Sequence, residues 1–142
     1  MAKLKVVVNT SVIISALMKR HSLAYYALTR VEHDYFTPAY ALTEIFEYLD
    51  EIEHKSELTP LELFERLFIL LELIKVVGED AVREHIDEAI KIMERRDVKD
   101  APFLAALMAV SGDAILSYDE DFSEVERHGY KWLRPSDLLA MT

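Results

Sequence analysis

Short, uninterrupted apolar runs alternate along this chain with longer segments in which apolar residues recur at helical spacing. Uninterrupted apolar strands that alternate with helices are typical of a parallel sheet covered by helices on both faces. The predicted strands are residues 3–8, 35–37, 74–77, 114–117 and 131–133. The predicted helices are residues 11–18, 22–32, 39–55, 60–73, 80–96, 100–110 and 135–141. Thr59, Pro60 and Glu62 give a capping-box start signal for the fourth, and Gly112 is the expected C′ residue after the sixth. The pattern therefore predicts an α/β fold.

The length and composition narrow the class of protein further. A chain of 142 residues fits one domain, so we expect a single domain over residues 1–142. The absence of Cys excludes disulfides, thiolate metal sites and Cys nucleophiles. No glycine-rich phosphate-binding motif is present, which argues against a P-loop or dinucleotide fold. The sequence has no secretory signal and no uncharged membrane-span pattern, so we expect a cytoplasmic protein without a membrane partner.

Amide side chains are almost missing from the sequence. Asn9 is the only Asn, and Gln is absent, while charged residues make up 30% of the chain. This combination resembles the composition of thermophile proteins. The net charge of −10 disfavours nonspecific nucleic-acid binding through bulk charge.

Polar and acidic residues gather near the ends of the predicted strands. In parallel sheets, ligands bind at the carboxyl ends of strands, close to the point where strand order reverses. Clustered carboxylates repel one another unless a cation offsets their charge, and oxygen ligands suit Mg²⁺ or Mn²⁺. The five histidines show no metal-ligand spacing, so we expect them in the core or on the surface. The candidate site residues are Asn9, Thr10, Ser11, Glu44, Asp97, Asp100, Asp119 and Asp121.

Purely structural roles are open to the same residues. Asp100 is also placed to cap the helix that begins there, and Thr10 or Ser11 to cap the first helix. Asn9 is open to a role as a turn or capping residue. A hydroxyl of either residue can instead hold a carboxylate or a metal-bound water. The joint placement of these side chains at one end of the sheet favours a site.

Three sequence blocks resemble the motifs of the PIN domain nucleases. Residues 6–17 resemble the opening motif, in which the position of Asn9 is usually Asp. Residues 96–107 resemble the third acidic motif, with Asp100 as the metal-binding acid. Residues 112–122 resemble the fourth, with Asp119 in the acid position, and Glu44 matches the helical Glu of the second. The resemblance covers nearly the whole chain.

The resemblance implies a three-layer α/β/α sandwich with a five-stranded parallel sheet and a ribonuclease dependent on Mg²⁺ or Mn²⁺. It also implies that Asn9, Glu44, Asp100 and Asp119 form the catalytic metal site. Many compact members are VapC-type toxins that commonly form homodimers and are held by a VapB-type antitoxin. RNA is then the substrate, and an antitoxin Arg is suited to reach the carboxylates.

Asn9 departs from the motif because an amide carries no charge. A neutral ligand should weaken metal affinity and catalysis. Two explanations are open for the presence of Asn at this position. One is an engineered Asp→Asn inactivation, and the other is a naturally attenuated or nonenzymatic member. The alternative function is therefore a catalytically inactive module that binds RNA or a protein. A phosphatase or receiver domain is disfavoured, since it needs a nucleophilic Asp after the first strand.

Overall fold

A five-stranded, entirely parallel sheet forms the centre of the protein in a computed structural model that describes residues 2–141. The strands lie in the order β3-β2-β1-β4-β5, with helices packed on both faces. This arrangement confirms the predicted α/β/α sandwich. The strands are β1 (Lys5–Val8), β2 (Asp34–Pro38), β3 (Ile74–Val77), β4 (Ala114–Leu116) and β5 (Lys131–Leu133).

The helices follow the predicted order, but two predicted helices are each divided. The breaks fall at Tyr48 and His85, whose backbones have φ/ψ of −99°/7° and −116°/0°. This bridge-region conformation interrupts a helix without needing Gly or Pro, so the sequence pattern offered no stop signal. The helices are α1 (Thr10–Met18), α2 (Leu23–Arg30), α3 (Ala39–Glu47), α4 (Leu49–Lys55), α5 (Pro60–Leu73), α6 (Glu79–Arg83), α7 (Ile86–Met93), α8 (Ala101–Ala109) and α9 (Pro135–Ala140).

Two 3-10 helices, Val98–Asp100 and Glu120–His128, precede and follow the segment that forms α8 and β4. The first leads into α8, and the second connects β4 to β5. Within residues 2–141, every helix is too short or too polar to cross a bilayer.

The β1 side chains show why the apolar strands are uninterrupted. Val6 and Val8 lie in a core that the sheet forms with α1, α2 and α5. Val7 points to the opposite face, into a second core formed with α7 and α8. Since successive side chains of a strand alternate between faces, a strand covered on both sides must be apolar at every position.

The start of α5 follows its sequence signal, whereas the end of α8 does not. Thr59 and Glu62 form the expected capping box at the start of α5. At the end of α8 we expected Gly112 to be the left-handed residue, and this was wrong. Ser111 adopts that conformation, with φ 52°, and the Gly112 N–H donates to Leu107 O at 2.8 Å. A Cβ at Gly112 would lie 2.5 Å from Leu107 Cδ1, so any other residue there would require the Leu107 side chain to shift.

The strand order reverses between β1 and β4. The chain builds β2 and β3 on one side of β1 and then crosses to form β4 on the other side. Val8 pairs with Leu116, so Asn9 and Ser117 leave the sheet next to each other. The Asn9 N–H donates to Leu116 O at 2.9 Å. This crevice is the place where ligands bind in open α/β sheets.

Candidate metal site at the carboxyl end of the sheet

Asn9 joins β1 to α1 and accepts hydrogen bonds from two directions. Its Oδ1 accepts from Ser11 N at 3.2 Å and Ser11 Oγ at 2.7 Å, and from Ser117 Oγ at 3.3 Å. Asn9 is thus the N-cap of α1, and the expectation that Thr10 or Ser11 caps this helix was wrong. Asn and Asp cap helices equally well, so the local fold accepts either residue at this position.

Thr10 connects the beginning of α1 to Glu44 on α3. Its hydroxyl donates to Glu44 Oε1 at 2.7 Å. Glu44 is half-buried rather than an exposed helix position, and its carboxylate is therefore held in a fixed direction. Thr10 thus holds a carboxylate through its hydroxyl, which is one of the roles open to it from the sequence.

Three carboxylates meet beside the start of α8. Asp97, Asp100 and Asp121 each offer one oxygen, and these oxygens all lie within 4.8 Å of one another. Asp97 Oδ1 also accepts from Lys99 N at 2.9 Å. Asp100 makes no side-chain capping bond to α8, which argues against the capping role open to it from the sequence.

Asp100 is the most perturbed group of the cluster. Its Oδ2 is buried and has no hydrogen-bond partner among the described residues. The pKa of Asp100 is raised to about 7, first by burial and then by the negative charges of Asp119 and Asp97. The pKa of Asp121 is also raised, by burial and by Asp119, although Arg96 opposes this effect. Arg96 pairs with Asp121 at 3.8 Å and offsets part of the negative charge of the cluster.

Asp119 and Ser117 connect the cluster to Asn9. The Asp119 N–H donates to Ser117 Oγ at 3.0 Å, and that hydroxyl in turn donates to Asn9 Oδ1. Asp119 Oδ1 accepts from Asp121 N at 2.9 Å and begins the second 3-10 helix. Asp119 also lies near Asp100, where its charge is the second largest cause of the raised pKa.

A cavity of about 280 Å³ opens between these elements. Six of the eight candidate residues line it, together with Lys99, whereas Asp119 and Asp121 lie beyond its lining on the Asp100 side. The structure thus brings all eight candidates to one end of the sheet. The candidates that line the cavity are Asn9, Thr10, Ser11, Glu44, Asp97 and Asp100.

The donor set fits a hard divalent cation. The available ligand atoms are carboxylate, amide and hydroxyl oxygens, which Mg²⁺ and Mn²⁺ prefer. The unpartnered Asp100 Oδ2 supplies the strongest evidence, since a bound cation would satisfy it and lower the free energy of the ionised cluster. A proton is the only other way to neutralise this oxygen.

Ser117 and Trp132 take part in the site, and the sequence analysis missed both. Ser117 is fully buried and bridges Asn9 and Asp119. Trp132 Nε1 donates to Ser117 O at 3.1 Å and so supports the bridge from β5. The signal for Ser117 was available, because it follows a predicted strand as Asn9 does. No pattern pointed to Trp132, since its contact depends on strand pairing.

Comparison with known proteins agrees with this geometry. The family model described as the PIN domain matches residues 7–129, which is most of the chain. The matched span includes every candidate site residue. No curated protein matches the chain.

Proposed function

Because the chain belongs to the PIN domain family, whose members are generally metal-dependent nucleases, we propose that it is an endoribonuclease that uses Mg²⁺ or Mn²⁺. The observation that carries the proposal is the buried Asp100 carboxylate, which has an unpartnered oxygen and lies among other acids. A cluster of this kind is stable in its ionised form only with a cation beside it.

Glu44, Asp100 and Asp119 are the proposed charged ligands, with Asn9 as a neutral fourth. Asp97 and Asp121 support them, since both share the carboxylate cluster with Asp100. When bound, the ion lowers the pKa of a coordinated water and offsets charge developing on a phosphodiester.

Neighbouring side chains prepare this site for RNA. The Thr10 hydroxyl fixes the Glu44 carboxylate, and the Ser117 hydroxyl aligns Asn9 with Asp119. Lys99 lines the same cavity and offers a positive charge to a phosphate.

We further propose that Asn9 makes this form attenuated or inactive. Its Oδ1 already accepts three hydrogen bonds, and the amide adds no charge to the site. An Asp in this place would accept the same bonds more strongly and would present a second, charged oxygen. The Asn9→Asp variant should therefore bind Mn²⁺ more tightly and cleave RNA faster.

Calorimetric titration with Mn²⁺ and a single-turnover RNA cleavage assay test both proposals. We expect Asn9→Asp to bind and cleave better than the unsubstituted protein, and the Glu44→Ala/Asp119→Ala double variant to do neither. Equal cleavage by the unsubstituted protein and the Asn9→Asp variant in Mn²⁺ would show that this position is unimportant. RNA binding without cleavage by any form would favour the inactive, RNA-binding module instead.

An apolar stripe on α5 supports a protein partner. Leu61, Phe64, Phe68 and Leu71 recur at helical spacing on the exposed side of this helix, and Phe68 is 66% exposed. From the sequence alone, Phe64 and Phe68 could equally well have packed in the core. The opposite side of α5, with Leu63, already packs in the core, so the helix is apolar on two sides.

We propose that the protein is a VapC-type toxin that forms a homodimer through this stripe and is held by a VapB-type antitoxin. The net charge of −10 and the acidic cavity favour a basic antitoxin segment whose Arg contacts the carboxylates. Light scattering after size exclusion should give a dimer mass for the protein and a monomer mass for Phe68→Glu. A monomer in both cases would exclude the dimer.

A further inference from the structure

A second cavity of about 250 Å³ lies next to the acidic one. It forms where the end of β2, the start of α3 and the start of α8 meet α6 and α7. Its walls are mainly apolar, with one aromatic ring, one guanidinium group and the carboxylate of Glu79. The residues that form these walls include Pro38, Tyr40, Val82, Arg83, Ile86 and Pro102.

Tyr40 places this cavity beside the candidate metal site. It precedes Glu44 by one turn of α3, so the two side chains lie on the same side of that helix. The pKa of Tyr40 is raised by burial and then by the charge of Glu44, with a smaller effect from Asp97. Pro102 forms another part of the wall, two residues after Asp100. The Tyr40 ring also contacts Phe103, which lines the acidic cavity, so Tyr40 lies between the two cavities.

The shape and walls suit a flat, partly apolar group. The Tyr40 ring packs edge-on against Phe103, with centroids 6.3 Å apart and an angle of 70° between the rings. The ring is held in place by this contact, yet Tyr40 remains 38% exposed. The volume lies below the range of roughly 300–1,000 Å³ typical of drug-sized ligands, which favours a group as small as one nucleobase.

Arg83 provides a positive charge at the rim. Its guanidinium pairs with Glu79 at 3.8 Å and with Asp80 at 3.5 Å, and its side chain is 70% exposed. Exposed pairs of this kind contribute little stability, so Arg83 can exchange them for a phosphate. An apolar slot with a cation at its edge complements a nucleotide, whose base is flat and whose phosphate is anionic.

We propose that the cavity beside Tyr40 binds one unpaired nucleobase of the RNA substrate, from a nucleotide adjacent to the phosphodiester at the acidic site. This inference rests on the proposed function. The base stacks on Tyr40, and Arg83 contacts the phosphate backbone. A base in a duplex is already stacked and paired, so the subsite selects single-stranded RNA.

Fluorescence anisotropy with a short, labelled single-stranded RNA in Mn²⁺, read before appreciable cleavage, tests the subsite. Tyr40→Ala should weaken binding about tenfold, the scale of losing one base–aromatic stack, while Tyr40→Phe should bind normally. Tyr26→Ala is the matched control, since Tyr26 lies on α2 and lines neither cavity. Thermal unfolding of each variant checks that it is folded.

A set of abasic oligonucleotides gives a test that needs no variant. Removing the base at one position should weaken binding to the unsubstituted protein about tenfold, and Tyr40→Ala should cause no further loss with that oligonucleotide. Additive losses, normal affinity of Tyr40→Ala, or no binding of single-stranded RNA by any form each overturn the subsite.

The outcomes separate the subsite from the nuclease activity. If RNA is cleaved in a metal-dependent way but Tyr40→Ala binds RNA as tightly as the unsubstituted protein, the proposed function stands and the subsite is rejected. Tyr40-dependent binding without cleavage by any form, Asn9→Asp included, retains the subsite and rejects the nuclease.

Discussion

The two ends of the sheet each bury a side-chain atom that has no hydrogen-bond partner in the described part of the chain. At the carboxyl end this atom is Asp100 Oδ2, which lies among the acids of the candidate metal site. At the amino end it is His33 Nε2, one residue before β2. A buried polar atom without a hydrogen-bond partner therefore occurs in two different surroundings.

His33 has a structural role in the fold. Its Nδ1 accepts from Leu4 N at 3.0 Å, just before β1, and its ring lies edge-on to Tyr35 with centroids 6.2 Å apart. The pKa of His33 is lowered by burial, and the smaller effects of Asp34 and Lys3 oppose each other. The imidazole stays neutral, so only one N–H remains without a partner.

The charge of the neighbours distinguishes the two ends. Around Asp100, burial and like charges both oppose ionisation, and a cation relieves both effects at once. Around His33, the neutral ring carries no charge that a ligand would have to offset. An unpartnered buried atom indicates a ligand site where its neighbours share its charge, and a packing compromise where they do not.

Replacement of Asp100 should produce the largest difference between the two ends. In the Asn9→Asp background, Asp100→Asn should reduce metal-dependent RNA cleavage by at least about 100-fold, because even outer-shell groups of metal sites contribute roughly 10–100-fold. Initial cleavage rates measure this effect. His33→Asn in the same background is the control and should keep its rate. Equal losses in both variants would show that the rates follow stability rather than the site.

Divalent metal should stabilise the protein only by binding at the carboxyl end of the sheet. At free Mn²⁺ of about a hundred times Kd, the free energy of unfolding should rise by about 2.7 kcal/mol. Thermal or urea unfolding with and without Mn²⁺ measures this rise. His33→Asn should retain it and Asp100→Asn should lose most of it. A full rise in Asp100→Asn would place the metal elsewhere.

The pH dependence of stability should differ in sign between the two ends, beginning with Asp100. In metal-free buffer, its pKa is about 7 in the folded protein and about 3.9 in the unfolded chain. Between these values the folded state binds more protons, so Asp100 lowers stability as pH rises from about 4 to 7. Asp100→Asn should therefore be more stable than the unsubstituted protein at pH 7, by about 1–3 kcal/mol after solvent screening.

Urea unfolding at several pH values measures this difference, which should shrink toward pH 4. A constant difference between Asp100→Asn and the unsubstituted protein across that range would contradict a raised pKa of Asp100.

His33 should give the smallest effect, with the opposite sign. Its pKa in the folded protein lies below the ordinary value of 6.5, so the unfolded state binds more protons as pH falls. The contribution of His33 to stability should decline from pH 7 to pH 5 by about 1 kcal/mol, the scale of its bond from Leu4 N. His33→Asn, whose Oδ1 can accept that bond, should lack this decline in the same unfolding series.

Much of the fold was accessible from local sequence. The start of α5 was predicted because Thr59, Pro60 and Glu62 act within one helical turn. The breaks at Tyr48 and His85 were not, since neither residue is a helix breaker and the break lies in the backbone conformation alone. The cap of α1 was assigned to the wrong residue because Asn9 has two roles, as cap and as site residue.

The candidate site residues could be named from the sequence but their arrangement could not, and their role in a metal site stays a prediction. The eight candidates follow strands or begin helices, which is visible in the sequence, and the structure places them at one end of the sheet. The groupings depend on long-range contacts. Thr10 reaches Glu44 across α1 and α3, and Ser117 reaches Asn9 across β4 and β1.

The sequence by itself determined the parallel sheet, since uninterrupted apolar strands between helices are a local pattern. Its motif blocks carried the resemblance to the PIN domain family, and its acidic residues after strands predict a site with oxygen ligands. Only the tertiary structure decided which carboxylates meet, which oxygen of Asp100 lacks a partner, and that Tyr40 borders a second cavity. The physical reason is that burial and electrostatic repulsion depend on distances between residues far apart in the chain. Those distances exist only once the strands have paired.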